Sequence, residues 1–451
     1  MKTLKDLRNV GGLLAAAMLV AACSGPVDQS ATADGTDANA DDGGSDQVVY
    51  WSMFSTGEPM QEILQDCSDR FVADNPDIDV EINWAGRDVL TRLQGAIQAG
   101  QQVDIVDHSN DRVRSAVVAN DLALNLDEYL QQPPYGADSG TWLETFKPGA
   151  VEAFAEDDGT YMVPRDVYVS GMWFNADMLA DAGIEPPTTG MTWDEFLEIL
   201  ETVAAENPDV SPLGADGNID FYNNWWFSYL AIRIVGLEAF QAAANDETGE
   251  SWRQPGFLQA AEMVRELQDR GYFQQGFEGS VFPAAQVQWV NSEIAMMLMG
   301  AWLPKEMEDQ APEDFNMGLF AFPNVEGGEG NDLVEYWSNA FAVMKDSPNP
   351  DAAVEWVKFI MSPEGCGNDI AEAGWPVPLA DAPTPESHEG QAEILAEYDV
   401  MGQRGGLNDD LPDYVTGALN LCNDPFFQLQ STPEEFIDCL ASESARFWSN
   451  S

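Results

Sequence analysis

Basic residues are scarce in this chain. Nineteen Lys and Arg stand against 78 Asp and Glu across 451 residues, a formal net charge of -59 at pH 7. Such a surface repels nucleic acid and anionic lipid, so neither is expected as a binding partner. The acidity itself reads as solvation of a folded chain, including in high salt, with cation binding as the alternative. Histidine is scarcer still: His108 and His388 are the only two and lie far apart in sequence. A zinc site built on histidine is therefore not expected, although carboxylate calcium sites stay open on composition alone. The chain contains no P-loop, GxGxxG, GxSxG or HExxH motif and no paired CxxC. Nucleotide, serine-hydrolase and common zinc chemistry thus lose their usual anchors, and no cofactor and no metal is expected.

Apolar residues make up 45 % of the sequence, enough for a large core in a chain long enough for two or three domains. The first 22 residues read as an address. Lys2, Lys5 and Arg8 make the start positive, an apolar run from Val10 to Ala22 follows, and small residues precede Cys23. That run is shorter than the roughly 20 residues needed to span a bilayer. "LVAAC" resembles the lipobox of bacterial lipoproteins, which implies cleavage before Cys23 and its lipidation; a plain secretory signal with a chance cysteine is the alternative. Residues 23–47 are rich in Ser, Thr, Asp, Gly and Ala and read as a flexible tether. Lipid, tether and folded body describe a protein held at the outer face of a membrane. That compartment is oxidising, so Cys67, Cys366, Cys422 and Cys439 are candidates for two disulfides. Cys422 and Cys439 lie in neighbouring helical segments and are expected to pair, which leaves Cys67 with Cys366; buried free thiols are the alternative.

Along the chain, 48–54 (VVYWSMF) reads as a strand, PMQEILQDCSDRFVADNP as a helix, IDVEINWA as a strand, DVLTRLQGAIQAG as a helix and VDIVDHS as a strand. Alternation of strand and helix predicts a parallel sheet covered by helices. Further strands are expected in GTYMVPRDVYVSGMWFN, IAMMLM, MGLFAF and NAFAVM. Helices are expected in DRVRSAVVANDL, ADMLADAG, TWDEFLEILETVAAENP, PGFLQAAEMVRELQDRGYF, DAAVEWVKFIMSPEG and TPEEFIDCLASESARFW.

Fourteen tryptophans are present, and several sit in contexts that read as polar and turn-like: Trp225 and Trp226 in FYNNWWFS, Trp302 in GAWLP, Trp337 in VEYWSNAF and Trp375 in EAGWPVP. An indole suits the C–H face of a sugar, with polar neighbours on the hydroxyls. For any one of them, burial in the core is the competing reading. HSNDRV follows a strand and opens a helix, offering His108, Asn110, Asp111 and Arg112 at a sheet edge. A carboxylate beside a guanidinium can serve vicinal hydroxyls; helix capping by Asp111 is the alternative. Carboxylates abound, but nothing singles out a glycosidase pair, so catalysis is not expected.

These pieces in this order resemble the extracellular solute-binding proteins of ABC sugar importers, the family of the maltose-binding protein. The matching segments are VVYWSMF, VDIVDHSNDRV, YMVPRDVYVSGMWFNADML with PPTTGMTWDEF, AMMLMGAW, and AFAVMKDSPNPDAAVEWVKFIMSPEG. The resemblance implies an α/β, two-lobed periplasmic-binding-protein fold, each lobe a mostly parallel sheet flanked by helices, with the ligand cleft at the hinge. One lobe takes 48–166 and 340–383, the other 171–335 and 386–449. It places Ser55 and Thr56 at ligand-facing positions in the loop after the first strand, Asp111 and Arg112 at hydroxyl-binding positions, Tyr168 near the hinge and Trp302 as a stacking platform, with His108, Trp337 and Asn339 as further site residues, the last two in the segment before the AFAV strand. His108 and Tyr168 stand where the maltose binder has tryptophan and glutamate, which argues against maltose as ligand. The implied protein is a monomer, anchored by lipid only, that delivers a carbohydrate to the transmembrane permease subunits of an ABC importer. A non-sugar solute on the same fold and a secreted glycosidase are the rival readings.

Overall fold

The computed structural model describes residues 46–450. The expected signal at 1–22, the lipidation site Cys23 and the tether up to residue 45 lie outside them. Strand β1 (Asp46–Ser52) starts ahead of the expected position, inside the expected tether. The Asp46 N–H donates to the Asp77 carbonyl at 2.8 Å and extends the ladder with β2 (Ile78–Trp84). β3 (Ile105–Ser109) pairs on the other side of β1, and both neighbours are parallel to it. Helices Pro59–Asp74 and Val89–Gln98 connect the three, each with an apolar side turned to the sheet.

The remaining strands are β4 (Val163–Asn175), β5 (Ser211–Gly214), β6 (Ile294–Gly300), β7 (Met317–Phe320), β8 (Leu333–Val343) and β9 (Asp399–Met401). Their order is β2-β1-β3-β8-β4-β6-β5, with β7 on β4 and β9 on β8. The expectation of mostly parallel sheets is corrected here: β8 is antiparallel to β3 and β4, and β4 is antiparallel to β6 and β7. Side-chain alternation reports which face a residue takes but carries no information on strand direction. β4 belongs to two sheets. Its first half, Val163–Val169, pairs with β8, and its second half, from Ser170, pairs with β6 and β7. Gly171 sits at this transfer because a Cβ there would stand 2.8 Å from the Phe320 carbonyl oxygen.

Helix Trp193–Glu206 begins with a capping box: Thr192 Oγ1 accepts from the Glu195 N–H at 3.3 Å, and Glu195 accepts from the Thr192 N–H at 2.9 Å. FYNNWWFS is not a turn. It lies in helix Asp220–Val235. Its polar residues misled the sequence reading because they are buried and paired with one another: Asn224 Nδ2 donates to Asn420 at 2.7 Å, and Ser228 donates to Asn224 at 2.8 Å. A helix buried on all sides shows no polar stripe. VEYWSNAF likewise lies in the middle of β8 rather than in a turn.

Both expected disulfides are formed, Cys67–Cys366 across 299 residues and Cys422–Cys439 across 17. The first ties helix Pro59–Asp74 to the turn after helix Pro350–Ile360, whose Trp356 ring lies 4.9 Å from Tyr50. Where β3, β4 and β8 meet, a wholly buried Arg165 pairs with both Asp107 and Asp166. Asp107 also accepts from the Met53 N–H at 2.8 Å, and Asp166 from Asn339 Nδ2 at 2.9 Å. Every charge in this group has a partner, the condition under which ions persist inside a core. Among the described residues no helix is long and apolar enough to cross a membrane.

Candidate functional site

Strand β6 is buried along its whole length, ends at Gly300, and hands the chain to Trp302 at the head of the short helix Leu303–Met307. The glycine is required. The six-membered ring of Trp302 folds back over it, and a Cβ at position 300 would lie inside that ring. Trp302 stacks on Tyr222 with ring centroids 6.4 Å apart, and the Glu306 side chain lies beside it. Glu306 in turn accepts from the buried Gln286 at 2.9 Å. Trp302 is therefore held between Gly300 and its ring neighbours while part of it stays open.

Four further rings gather around it. Trp337 on β8 lies 5.0 Å away in an edge arrangement, Trp225 at 5.9 Å, Tyr168 on β4 at 6.0 Å, and Tyr222 at 6.4 Å in a stacked one. Tyr168 and Trp337 are 4.8 Å apart, and Tyr222 stacks on Trp225 at 5.5 Å. Burial pushes the hydroxyls of Tyr168 and Tyr222 up from their ordinary range, so both stay neutral donors.

A polar wall adjoins these rings. Asp111 and Arg112 lie in the helical turn Asn110–Val113 at the end of β3, and with Arg404, Asn408 and Asp409 they line a cavity of about 680 Å³. Asp111 does not cap the turn: Ser109 holds that position, and the buried Oδ1 of Asp111 accepts no hydrogen bond among the described residues. Rings and wall share a seam. Glu335 Oε1 accepts from Trp225 Nε1 at 2.8 Å, Glu335 Oε2 accepts from the Arg404 N–H at 3.3 Å, and the Arg404 guanidinium lies 5.8 Å over the Trp225 ring. Burial raises the Glu335 carboxyl above its usual range, offset by the two donors. Through Glu335 and Arg404 the ring cluster is joined to the polar cavity wall, and aromatic rings beside carboxylate, guanidinium and amide groups suit a ligand with a C–H face and several hydroxyls.

Of the residues expected at the site, the structure thus brings together Tyr168, Trp225, Trp302 and Trp337, and joins Asp111 and Arg112 to them through Trp225 and Arg404. His108 is half-buried beside Asp111. Its Nδ1 accepts from the Ser109 N–H at 2.8 Å, so Nε2 carries the proton and donates to the Arg87 carbonyl at 3.2 Å. Burial holds its pKa below the usual value, so the ring is neutral. Ser55 and Thr56 are exposed in the turn after β1. Trp226 is not with the cluster: it is 1 % exposed and its ring packs on Phe273 and Phe322, because adjacent positions on a helix face different ways. Asn339 is spent on Asp166, and Trp375 sits half-buried in the loop before Pro376, with no ring partner among the described residues. Tyr222, Glu335, Arg404, Asn408 and Asp409 were missed by sequence reasoning. The signal for Arg404 was there: an arginine ahead of two glycines in GQRGGLNDD, held at a φ of 51°. Among the described residues the metal-like grouping is Cys67, Cys366 and Asp369, and its two sulfurs are joined to each other.

Asp409 deserves a pH test. It is 8 % exposed, accepts from Asn110 Nδ2 at 2.7 Å, and its carboxyl is pushed up to about 7 by burial, with Asp111, Asp410 and Glu335 adding to the effect and Arg114 opposing it. A carboxyl that titrates higher when folded than when unfolded (about 4) keeps its proton longer in the folded state. Stability from this group therefore falls as pH rises from about 4 to about 7, by at most about 4 kcal/mol. The buried His388, lowered to about 4 by desolvation, works oppositely and costs stability as pH falls below about 6.5. Asp409→Asn separates the two. Urea melts should show the variant equal to the parent near pH 4 and more stable at pH 8 by about 1–3 kcal/mol; an unchanged difference between the two pH values removes Asp409 from the account.

The chain resembles known proteins across most of its length. The family model described as bacterial extracellular solute-binding protein matches residues 54–365. A multiple sugar-binding protein of Streptococcus mutans is 24 % identical over 204 residues, covering 44 % of this chain and 46 % of that protein. The diacetylchitobiose binding protein NgcE of Streptomyces coelicolor is 23 % identical, covering 62 % of this chain and 59 % of that protein. The alignments thus span about half the length of these two relatives. Among solved structures, an open conformation of the putative binding protein msme of Bacillus subtilis superposes with a TM-score of 0.71 at 16 % identity, over 91 % of this chain and all of that one. At that identity the likeness shows a shared fold.

Proposed function

The chain belongs to the bacterial extracellular solute-binding proteins, and from that premise we propose that it captures a carbohydrate, an oligosaccharide or glycoside, and delivers it to the permease subunits of an ABC importer. The observation that carries this reading is the seam between the Trp302 ring cluster and the Asp111–Arg404 wall. Stacking rings take the sugar face, Asp111 Oδ1 accepts from a hydroxyl, and Arg112 and Asn408 donate to its neighbours. Relatives named for multiple sugars and for diacetylchitobiose support the ligand class. No bond is made or broken; affinity comes from contacts that exist only when the ligand is enclosed. Closure would proceed between a lobe of 48–166 and 340–383 and a lobe of 171–335 and 386–449. The passage of β4 from one sheet to the other supports a hinge near residues 166–171. Lipidated Cys23 would hold the monomer at the outer face of the membrane.

Titration with a panel that includes lactose, raffinose and diacetylchitobiose tests the reading. Saturable binding with a change in tryptophan emission is expected for at least one sugar, with no turnover of the ligand. Silence across mono- and oligosaccharides alike would leave the family and remove the ligand class.

A further inference from the structure

A second cavity, of about 450 Å³, lies elsewhere on the molecule and shares no lining residue with the polar wall or the ring cluster. Its walls are mostly apolar: Val167 from the middle of β4, Val377, Pro383, and Leu395 from helix Glu389–Glu397. Two polar residues line it without a partner of matching strength. Tyr336, from β8, is 7 % exposed, and its hydroxyl makes no hydrogen bond among the described residues. Lys147 is half-buried and donates only to the Val377 carbonyl, at a long 3.4 Å. The contrast with the other lysines is informative. Lys305, Lys345 and Lys358 each have a carboxylate partner, as an acidic chain readily provides; Lys147 has none among the described residues. Burial lowers its pKa, as it must for an ammonium with no counter-charge. The other buried polar groups of the cavity are already satisfied. Gln391 bridges the Val167 carbonyl and the Val169 N–H at 3.0 and 3.1 Å, and His388 Nε2 bonds the Ala301 carbonyl at 2.6 Å.

An apolar pocket of this size with one unpaired cation and one free hydroxyl is complementary to an apolar body that ends in a carboxylate. We propose that this cavity is a second small-molecule site, distinct from the carbohydrate site, that takes a medium-chain amphipathic carboxylate. The carboxylate pairs with Lys147 and accepts from Tyr336, and the apolar body covers Val167, Val377 and Leu395. The proposal does not depend on the ligand of the first site.

Octanoate is the probe, with 1-octanol as its neutral counterpart, titrated calorimetrically into the full chain. Saturable sub-millimolar binding of octanoate is expected, with 1-octanol at least about tenfold weaker, since the alcohol cannot form the charge-assisted pair with Lys147. Lys147→Gln should weaken octanoate about tenfold or more, and Tyr336→Phe by a smaller factor. Ala392→Trp, at an exposed position on the cavity rim, should block binding while the melting temperature stays at the parent value. The proposal is overturned by absence of octanoate binding, by equal binding of octanol, or by octanoate binding indifferent to Lys147→Gln or Ala392→Trp in variants that melt like the parent.

Discussion

Trp302→Ala will lower affinity for the sugar found in the panel by about 30- to 1,000-fold, the roughly 2–4 kcal/mol typical of a central aromatic contact. The reason lies in how the ring is held. Gly300 supports one end of it, Tyr222 stacks on it, and Trp337 and Trp225 close its flanks. A platform fixed in this way binds without having to be ordered by the ligand. The truncation will also cost stability, because the cluster loses ring contacts, but Trp302 is only half-buried and the loss should stay well below the roughly 3–5 kcal/mol of a core aromatic deletion. Gly300→Ala offers a second handle on the same claim. It leaves the indole present but displaces it, so affinity should fall although the tryptophan remains. A large drop in melting temperature with unchanged affinity would identify Trp302 as core.

The largest stability effect is expected at Arg165. Replacement by methionine keeps most of the volume and removes the one cation paired with Asp107 and Asp166 among the described residues, both carboxylates being fully buried. Two buried carboxylates would be left without compensation, at about 3–5 kcal/mol. Denaturant midpoints read this directly. The triple replacement Asp107→Asn, Arg165→Met, Asp166→Asn should recover much of the loss, because no uncompensated charge remains. If the single variant unfolds within about 1 kcal/mol of the parent, the ion group is not what joins β3 to β4.

Much of this molecule could be read from residues alone, and the misses have identifiable causes. Strand β2 and the helices on either side of it were legible because one face of each is more buried than the other, which writes a period into the sequence, whereas β1 and β3 were legible as short apolar runs. The helix opening at Thr192 and the strand ending at Gly300 were legible because each is marked by local sequence. Helix Asp220–Val235 was misread because Asn223, Asn224 and Ser228 satisfy their hydrogen bonds inside the core, so the polar residues that suggested a turn are not at the surface. Trp225 and Trp226 show the limit well. They are adjacent in sequence and identical in type, yet one faces Trp302 and the other Phe273. The helical phase that separates them is not visible in a segment whose polar residues read as a turn.

The sequence by itself determined the α/β class and the placement of Trp302 at a strand end, and it pointed to Cys422 with Cys439, which left Cys67 for Cys366. The first two rest on local spacing, and the second disulfide on elimination. Only the tertiary structure decided strand direction, the division of β4 between two sheets, and which polar groups stand near the rings. Those follow from contacts between segments up to hundreds of residues apart, such as Trp225 with Glu335 and Asn110 with Asp409, and no periodicity in a chain records which distant segment a buried side chain will meet.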